Sequence, residues 1–269
     1  MALRDITLGQ YFPGTSLIHR LDPRAKLLFS LLYIVALFTA KSPLSYLVTF
    51  VVLALGILIS RLRLSVFLKG LKPIMIIVIL TAIMNLFFTR GGDTLWSFGF
   101  LHITENGVSM AVYMMLRIIM LLLMTLLLTY TTSPLMLTDG LDRLLSPLKH
   151  FKVPVHDFTM IMSIALRFIP TLIQETDKIM SAQKARGADF ESGNLIQRAK
   201  ALVPILIPLF ISAFRRAEEL SVAMDCRCFH DGQNRTRLRQ LKFTANDAIL
   251  LMFAVLLCVA IILMRRFGI

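Results

Sequence analysis

Five stretches of this sequence are apolar enough to cross a lipid bilayer: about 25–40, 44–60, 72–89, 107–131 and 245–264. In hydrocarbon no water satisfies backbone N–H and C=O groups, so such stretches must close their hydrogen bonds internally, as helices do. A crossing takes roughly 17–25 residues. The first and third stretches are short by that measure and need end residues such as Arg24, Lys26, Lys41 and Arg90 to reach the headgroups. Composition agrees, with 57% hydrophobic residues and a mean hydropathy of +0.74, against roughly 45–50% apolar in soluble domains. The predicted class is an all-α integral membrane protein with about five transmembrane helices. The opening segment has no short apolar core followed by a small-residue cleavage site, which reads as a first span kept in the mature chain.

The first span has a local cause: Asp22 suits a helix cap, Pro23 suits the first helical position, and "KSP" at 41–43 makes a turn into the second span. Basic residues orient the chain. With the N terminus inside, 24 of the 29 Lys and Arg fall on the inner side, while Lys41, Arg90, Arg265 and Arg266 fall outside and Arg117 lies within a span. That bias predicts a cytoplasmic N terminus and an outer C terminus. The formal charge of +13 is therefore mostly topology rather than a nucleic-acid surface, and "RTRLRQLK" at 235–242 reads as an anchor beside anionic lipid.

The stretch 132–243 differs in kind from the membrane segments 1–131 and 244–269 that flank it. It opens with Ser133 as a cap, Pro134 at the first helical position and leucines 137, 141, 144, 145 and 148 at helical spacing, an amphipathic stripe. Two apolar runs, 158–173 and 201–214, suit buried or interfacial helices better than crossings. Arg167 interrupts the first run; Pro204 and Pro208 lie in the second. Each run continues into a charged tail, "QETDKIMSAQKAR" and "RRAEELSVAMDCR". Together they predict two long helices that are apolar at the start and polar at the end.

Catalytic constellations are missing. There is no G-x-x-x-x-G-K-[ST] loop, no H-E-x-x-H and no G-x-S-x-G elbow. Cys226, Cys228 and His230 could suggest a metal site, but a helical i, i+2 pair points to different sides and no second ligand cluster exists; small apolar fillers are the simpler reading. Arg117 is costly inside a span. It either bonds neighbouring backbone carbonyls or contacts a partner membrane subunit. Arg186 and Arg227, 41 positions apart, close the two charged tails. Gly187 tolerates the left-handed conformation of a helix end, and Ala182 and Ala185 keep that end slim. Such a tip either complements the helix dipole at the surface or enters a partner's groove, where the guanidinium fork suits carboxylates and carbonyls.

Four long strings carry a resemblance: "HRLDPRAKL" at 19–27, "TSPLMLTDGLDRLLSPL" at 132–148, "MSIALRFIPTLIQETDKIMSAQKARGADF" at 162–190 and "RRAEELSVAMDCRC" at 215–228. Through them the chain resembles the transmembrane T component of energy-coupling factor (ECF) transporters, ATP-driven importers of vitamins and metal ions. The resemblance implies a non-catalytic subunit in a prokaryotic cell membrane, with no cofactor of its own because partner ATPases hold ATP and Mg. It implies two ABC ATPase subunits, one substrate-binding S component and the lipid bilayer as partners, and no nucleic acid. It assigns ATPase docking to Ala185-Arg186-Gly187 and to Cys226-Arg227-Cys228. The second departs from the usual Ala-Arg-Gly form, so the helix there is expected to leave by another conformation, through Phe229 to Asp231-Gly232. Pro170, Pro204 and Pro208 are expected bend points. The alternative function is an autonomous permease, with an intramembrane enzyme a further rival.

Overall fold

The computed structural model describes residues 11–89, 91, 94–98, 101–151, 154–190, 194–229 and 241–267. Arg4, Arg90, His230, the Asp231-Gly232 pair and residues 235–240 of the basic run lie outside these. Two compact units emerge, Gly9–Arg143 with Leu241–Ile269, and Leu144–Gln240.

In the first unit, α1 (Leu17–Arg20) is a single turn capped by Ser16. His19 fixes the strand of chain before it: Nε2 donates to the Phe12 carbonyl at 3.0 Å, leaving Nδ1 to accept the Ser16 hydroxyl at 2.6 Å. Burial pushes the His19 pKa below its usual value, favouring this neutral ring. α2 (Pro23–Thr39) starts as expected, with the Asp22 carboxylate accepting the Arg24 amide at 2.9 Å and Pro23 in the first turn. α3 (Pro43–Ser60) follows a reciprocal capping box between Ser42 and Ser45.

The third apolar stretch, expected over 72–89, forms one helix over most of that length, and a shorter helix that was not foreseen precedes it. α4 (Leu64–Leu71) and α5 (Met75–Phe88) meet at a 61° bend, because Pro73 has no N–H to give and its ring crowds the preceding turn. α5 alone is 14 residues, about 21 Å of rise, short of the ~30 Å hydrocarbon core. A short hairpin, β1 (Thr94–Phe98) and β2 (Leu101–Thr104), pairs antiparallel from Thr94↔Thr104 to Phe98↔Leu101 and was not foreseen. It delivers Thr104, whose hydroxyl accepts the Gly107 amide and donates to the Thr89 carbonyl, both at 3.1 Å. That caps α6 (Glu105–Thr131), the hub against which α2, α3, α4 and α5 all pack. The core around it includes Tyr33, Leu37, Phe67, Met120, Tyr130 and Ile261.

α7 (Pro134–Leu144) begins over Ser133, which receives the Met136 amide. Gly140 brings α7 against the start of α2, where a Cβ would stand 3.2 Å from Pro23 Cβ. In the second unit a 3₁₀ turn (Ser146–Phe151) leads to α8 (Val155–Ala185), and α9 (Leu195–Cys226) packs on α8. Both long helices run on through their prolines. α10 (Ala245–Phe267) returns to the first unit and packs along α2.

By length and composition α3, α6, α8 and α10 could each cross a bilayer, as could the bent α4–α5 pair. α8 is the outlier, markedly less apolar than the other three. Its second half carries Glu175, Asp177, Lys178 and Lys184, so the apolar character is confined to the first half. α2, at 17 residues about 26 Å long, packs alongside α10.

A buried polar knot joins the helix ends. Asp247 is fully buried: Oδ1 accepts the Asp22 amide at 2.8 Å, and Oδ2 accepts the Thr244 amide at 2.8 Å and its hydroxyl at 2.6 Å. Lys26, only 5% exposed, donates to the Thr131 carbonyl at 3.0 Å and to Thr132 Oγ1 at 3.2 Å. Lys26 therefore does not reach the headgroups as its position suggested; the Thr131 carbonyl and the Thr132 hydroxyl hold its ammonium inside. Arg24 also turns in, its Nε 3.7 Å from Asp22 Oδ1. Asp247→Ala should destabilise the chain by about 1–3 kcal/mol, since it leaves the buried Asp22 amide and the Thr244 amide and hydroxyl without their acceptor. Asp247→Asn, which keeps one acceptor oxygen, should lose less, as read by the unfolding midpoint of the detergent-purified protein.

Candidate functional site

Arg117 sits in the middle of α6 and is half-buried. One guanidinium nitrogen donates to Tyr46 Oη at 2.6 Å and to the Ala40 carbonyl at 3.3 Å. The charge also lies 5.6 Å from the centre of the Phe38 ring and 5.9 Å from that of Tyr46, which itself stacks on Tyr113. The geometry is the carbonyl-bonded one, stapling the α2–α3 turn to α6. Tyr46 escaped sequence reasoning because its hydroxyl is 71 positions from the charge it meets.

The ends of α8 and α9 are the other candidate. α8 finishes at Ala185 and Arg186 is its cap, at φ −85 and ψ 5. Gly187 follows in the left-handed region at φ 88, its amide bonded to the Lys184 carbonyl at 3.0 Å while the Ala188 amide reaches Gln183 at 3.0 Å. These are the paired bonds of a Schellman motif, which close off carbonyls a helix end leaves open. α9 ends the same way. Arg227 is the cap at φ −92 and ψ 13, Cys228 is left-handed at φ 53, the Cys228 amide bonds Asp225 at 2.9 Å and the Phe229 amide bonds Met224 at 2.9 Å. The expectation of a different exit beyond Phe229 is thus corrected. A cysteine takes the glycine's conformation, and the motif's two bonds hold it there against the ~1–2 kcal/mol that a side chain costs in that region.

The six residues Ala185, Arg186, Gly187, Cys226, Arg227 and Cys228 are all exposed. Among the described residues neither arginine's guanidinium has a hydrogen-bond or ion-pair partner. No three metal-ligating side chains stand together among the described residues. Two slim, cationic tips of matching backbone geometry are what the second unit presents.

Eleven residues before each tip the two helices are tied together. Glu175 of α8 accepts a hydrogen bond from the Ser212 hydroxyl at 2.5 Å and a charge-assisted one from Arg216 on α9. Neither residue was singled out from sequence; a pairing across 41 positions leaves no local pattern. Much of the apolar surface of the same helices is uncovered, including Phe158 and Ile161 on α8 and Leu206, Phe210 and Phe214 on α9.

Comparison with known proteins places these features. The CbiQ family, described as cobalt transport protein, matches residues 14–238. The chain is 53% identical over 262 residues to the energy-coupling factor transporter transmembrane protein EcfT of Clostridium kluyveri, covering 97% of each. It is 50% identical to the protein of that name from Acidaminococcus fermentans, covering 99% of each, and 44% identical to that from Bacillus subtilis, covering 96% of this chain and 97% of the relative.

The two ends respond oppositely to substitution. A Cβ at Gly187 would meet nothing within 4 Å, so Gly187→Ala should cost only backbone strain, about 1–2 kcal/mol, seen as faster hydrogen exchange at the Ala188 amide. Cys228→Gly should slow exchange at the Phe229 amide, whereas Cys228→Val, branched at a positive φ, should fray the last turn.

Proposed function

The chain belongs to the CbiQ family, as a transmembrane transporter component, and from that premise we propose that it couples two ABC ATPase subunits to a substrate-binding membrane subunit in ATP-driven import. Arg186 and Arg227 are the docking cations. Each enters a groove on one ATPase, and the flanking Ala185, Gly187, Cys226 and Cys228 keep the tips narrow enough to fit. The chain itself carries out no catalysis; ATP and Mg belong to the ATPases. When these close on ATP, the seated tips move and α8 and α9 carry the displacement to the membrane.

What carries the reading is the repeated helix end, two exposed arginines on the same backbone motif in one unit, where a merely dipole-complementing residue would need no such repetition. Two related partners call for two plugs. The uncovered apolar residues of α8 and α9 support a third partner, a membrane-embedded substrate-binding chain, with lipid covering the rest. The 24-to-4 basic bias supports a prokaryotic cell-membrane topology with the N terminus and both tips in the cytosol and the C terminus outside. The cobalt of the family description is one cargo class of such importers; vitamins are another.

Truncating a desolvated interfacial charge costs about 2–5 kcal/mol, so each single Arg→Ala change should weaken ATPase capture by at least tenfold. Arg186→Ala with Arg227→Ala should release both ATPases from the affinity-purified chain while its chromatographic profile in detergent is unchanged. Full ATPase retention by the double variant would defeat the docking reading. Substrate uptake by the purified chain alone in liposomes would favour a permease.

A further inference from the structure

We propose that Glu175, gripped by Ser212 and Arg216, is a positioning residue that fixes the spacing and facing of the two arginine tips. Three observations converge on it. First, the tie is symmetric: Glu175 precedes Arg186 by eleven residues and Arg216 precedes Arg227 by eleven, so each tip stands about 16 Å along its own helix from the same crossing point. Second, eleven residues make three helical turns to within about 20°. Each tip arginine is therefore carried on nearly the same side of its helix as the residue in the tie, and the azimuth set at the tie is the azimuth delivered at the tip. Third, Ser212 and Arg216 are four apart on one face of α9 and hold the two oxygens of one carboxylate. A two-point grip of this kind fixes rotation about the α9 axis as well as its register along α8.

The tie is not there for stability. The Arg216 and Glu175 side chains are 34% and 24% exposed, and ion pairs so placed add little to folding. Its removal leaves two intact helices whose ends are no longer held at one separation. The consequence for transport rests on the coupling role proposed above; the geometric claim does not.

The test places spin labels at Ala182 and Ala223, equivalent exposed positions in the last turns of α8 and α9, in a background with the three cysteines changed to serine. Their separation is measured by double electron–electron resonance in the detergent-purified chain. The parent should give one narrow distance. Glu175→Ala and Arg216→Ala should each lose it for a broad distribution, and the exchange Glu175→Arg with Arg216→Glu should bring it back. With both ATPases bound, a non-hydrolysable ATP analogue should shift the distance in the parent and in the exchanged variant, with the shift lost in the single variants. A narrow distance surviving in Glu175→Ala, or a broad one persisting in the exchanged variant, overturns the positioning role. Failure of the unlabelled chain with its native cysteines to capture ATPases would instead strike the coupling reading, leaving the distance result to stand alone.

Discussion

Charge in a low-dielectric setting has to be answered, and that requirement organises this chain. Inside the membrane unit two cations are met at close range: Lys26 by a carbonyl and a hydroxyl, Arg117 by a carbonyl, a phenol and two ring faces. An unpaired charge there would cost several kcal/mol. With those charges met internally, the helix-end arginines of the other unit are conspicuous because nothing among the described residues answers them. A cation on a slim rigid tip, with its donors open, is a half-made contact.

The two tips show how one backbone solution survives different side chains. What a Schellman ending requires is a residue at positive φ and two amides turned back onto the last carbonyls. Gly187 meets the first condition at no steric cost, and Cys228 meets it under strain that the hydrogen bonds offset. In both cases the arginine is the cap residue, the last one whose direction the helix still controls. Placing the charge one residue later would put it past the helix end, on the left-handed residue. The tie between Glu175 and Arg216 extends the same logic from each helix to the pair.

Legibility in the sequence followed the range of the interaction. Caps at Asp22 and Ser133 and the turn at 41–43 are local and were readable, as were the apolar lengths of α3, α6 and α10 and the existence of two long helices with polar ends. Lys26 was misread as headgroup-seeking because its partners, the Thr131 carbonyl and the Thr132 hydroxyl, stand 105 and 106 positions later. Pro73 was visible, yet an apolar run masks whether a proline kinks a span or breaks it; here the break is 61°. The turn at Cys228 was illegible because cysteine carries no preference for the left-handed region, and only its neighbours' amides decide the matter. Glu175 looked like one more charge on a polar tail until α9 was laid beside it.

The account depends most on where the tips emerge. Cys226 and Cys228 flank Arg227 and are exposed, while Cys258 lies within α10 with its thiol on the Leu32 carbonyl, so the native thiols already mark one tip. A membrane-impermeant maleimide should modify Cys226 and Cys228 in inverted vesicles stripped of peripheral proteins and leave them untouched in intact cells. Modification of either thiol from outside intact cells would place the tips on the wrong face of the membrane and contradict the docking account.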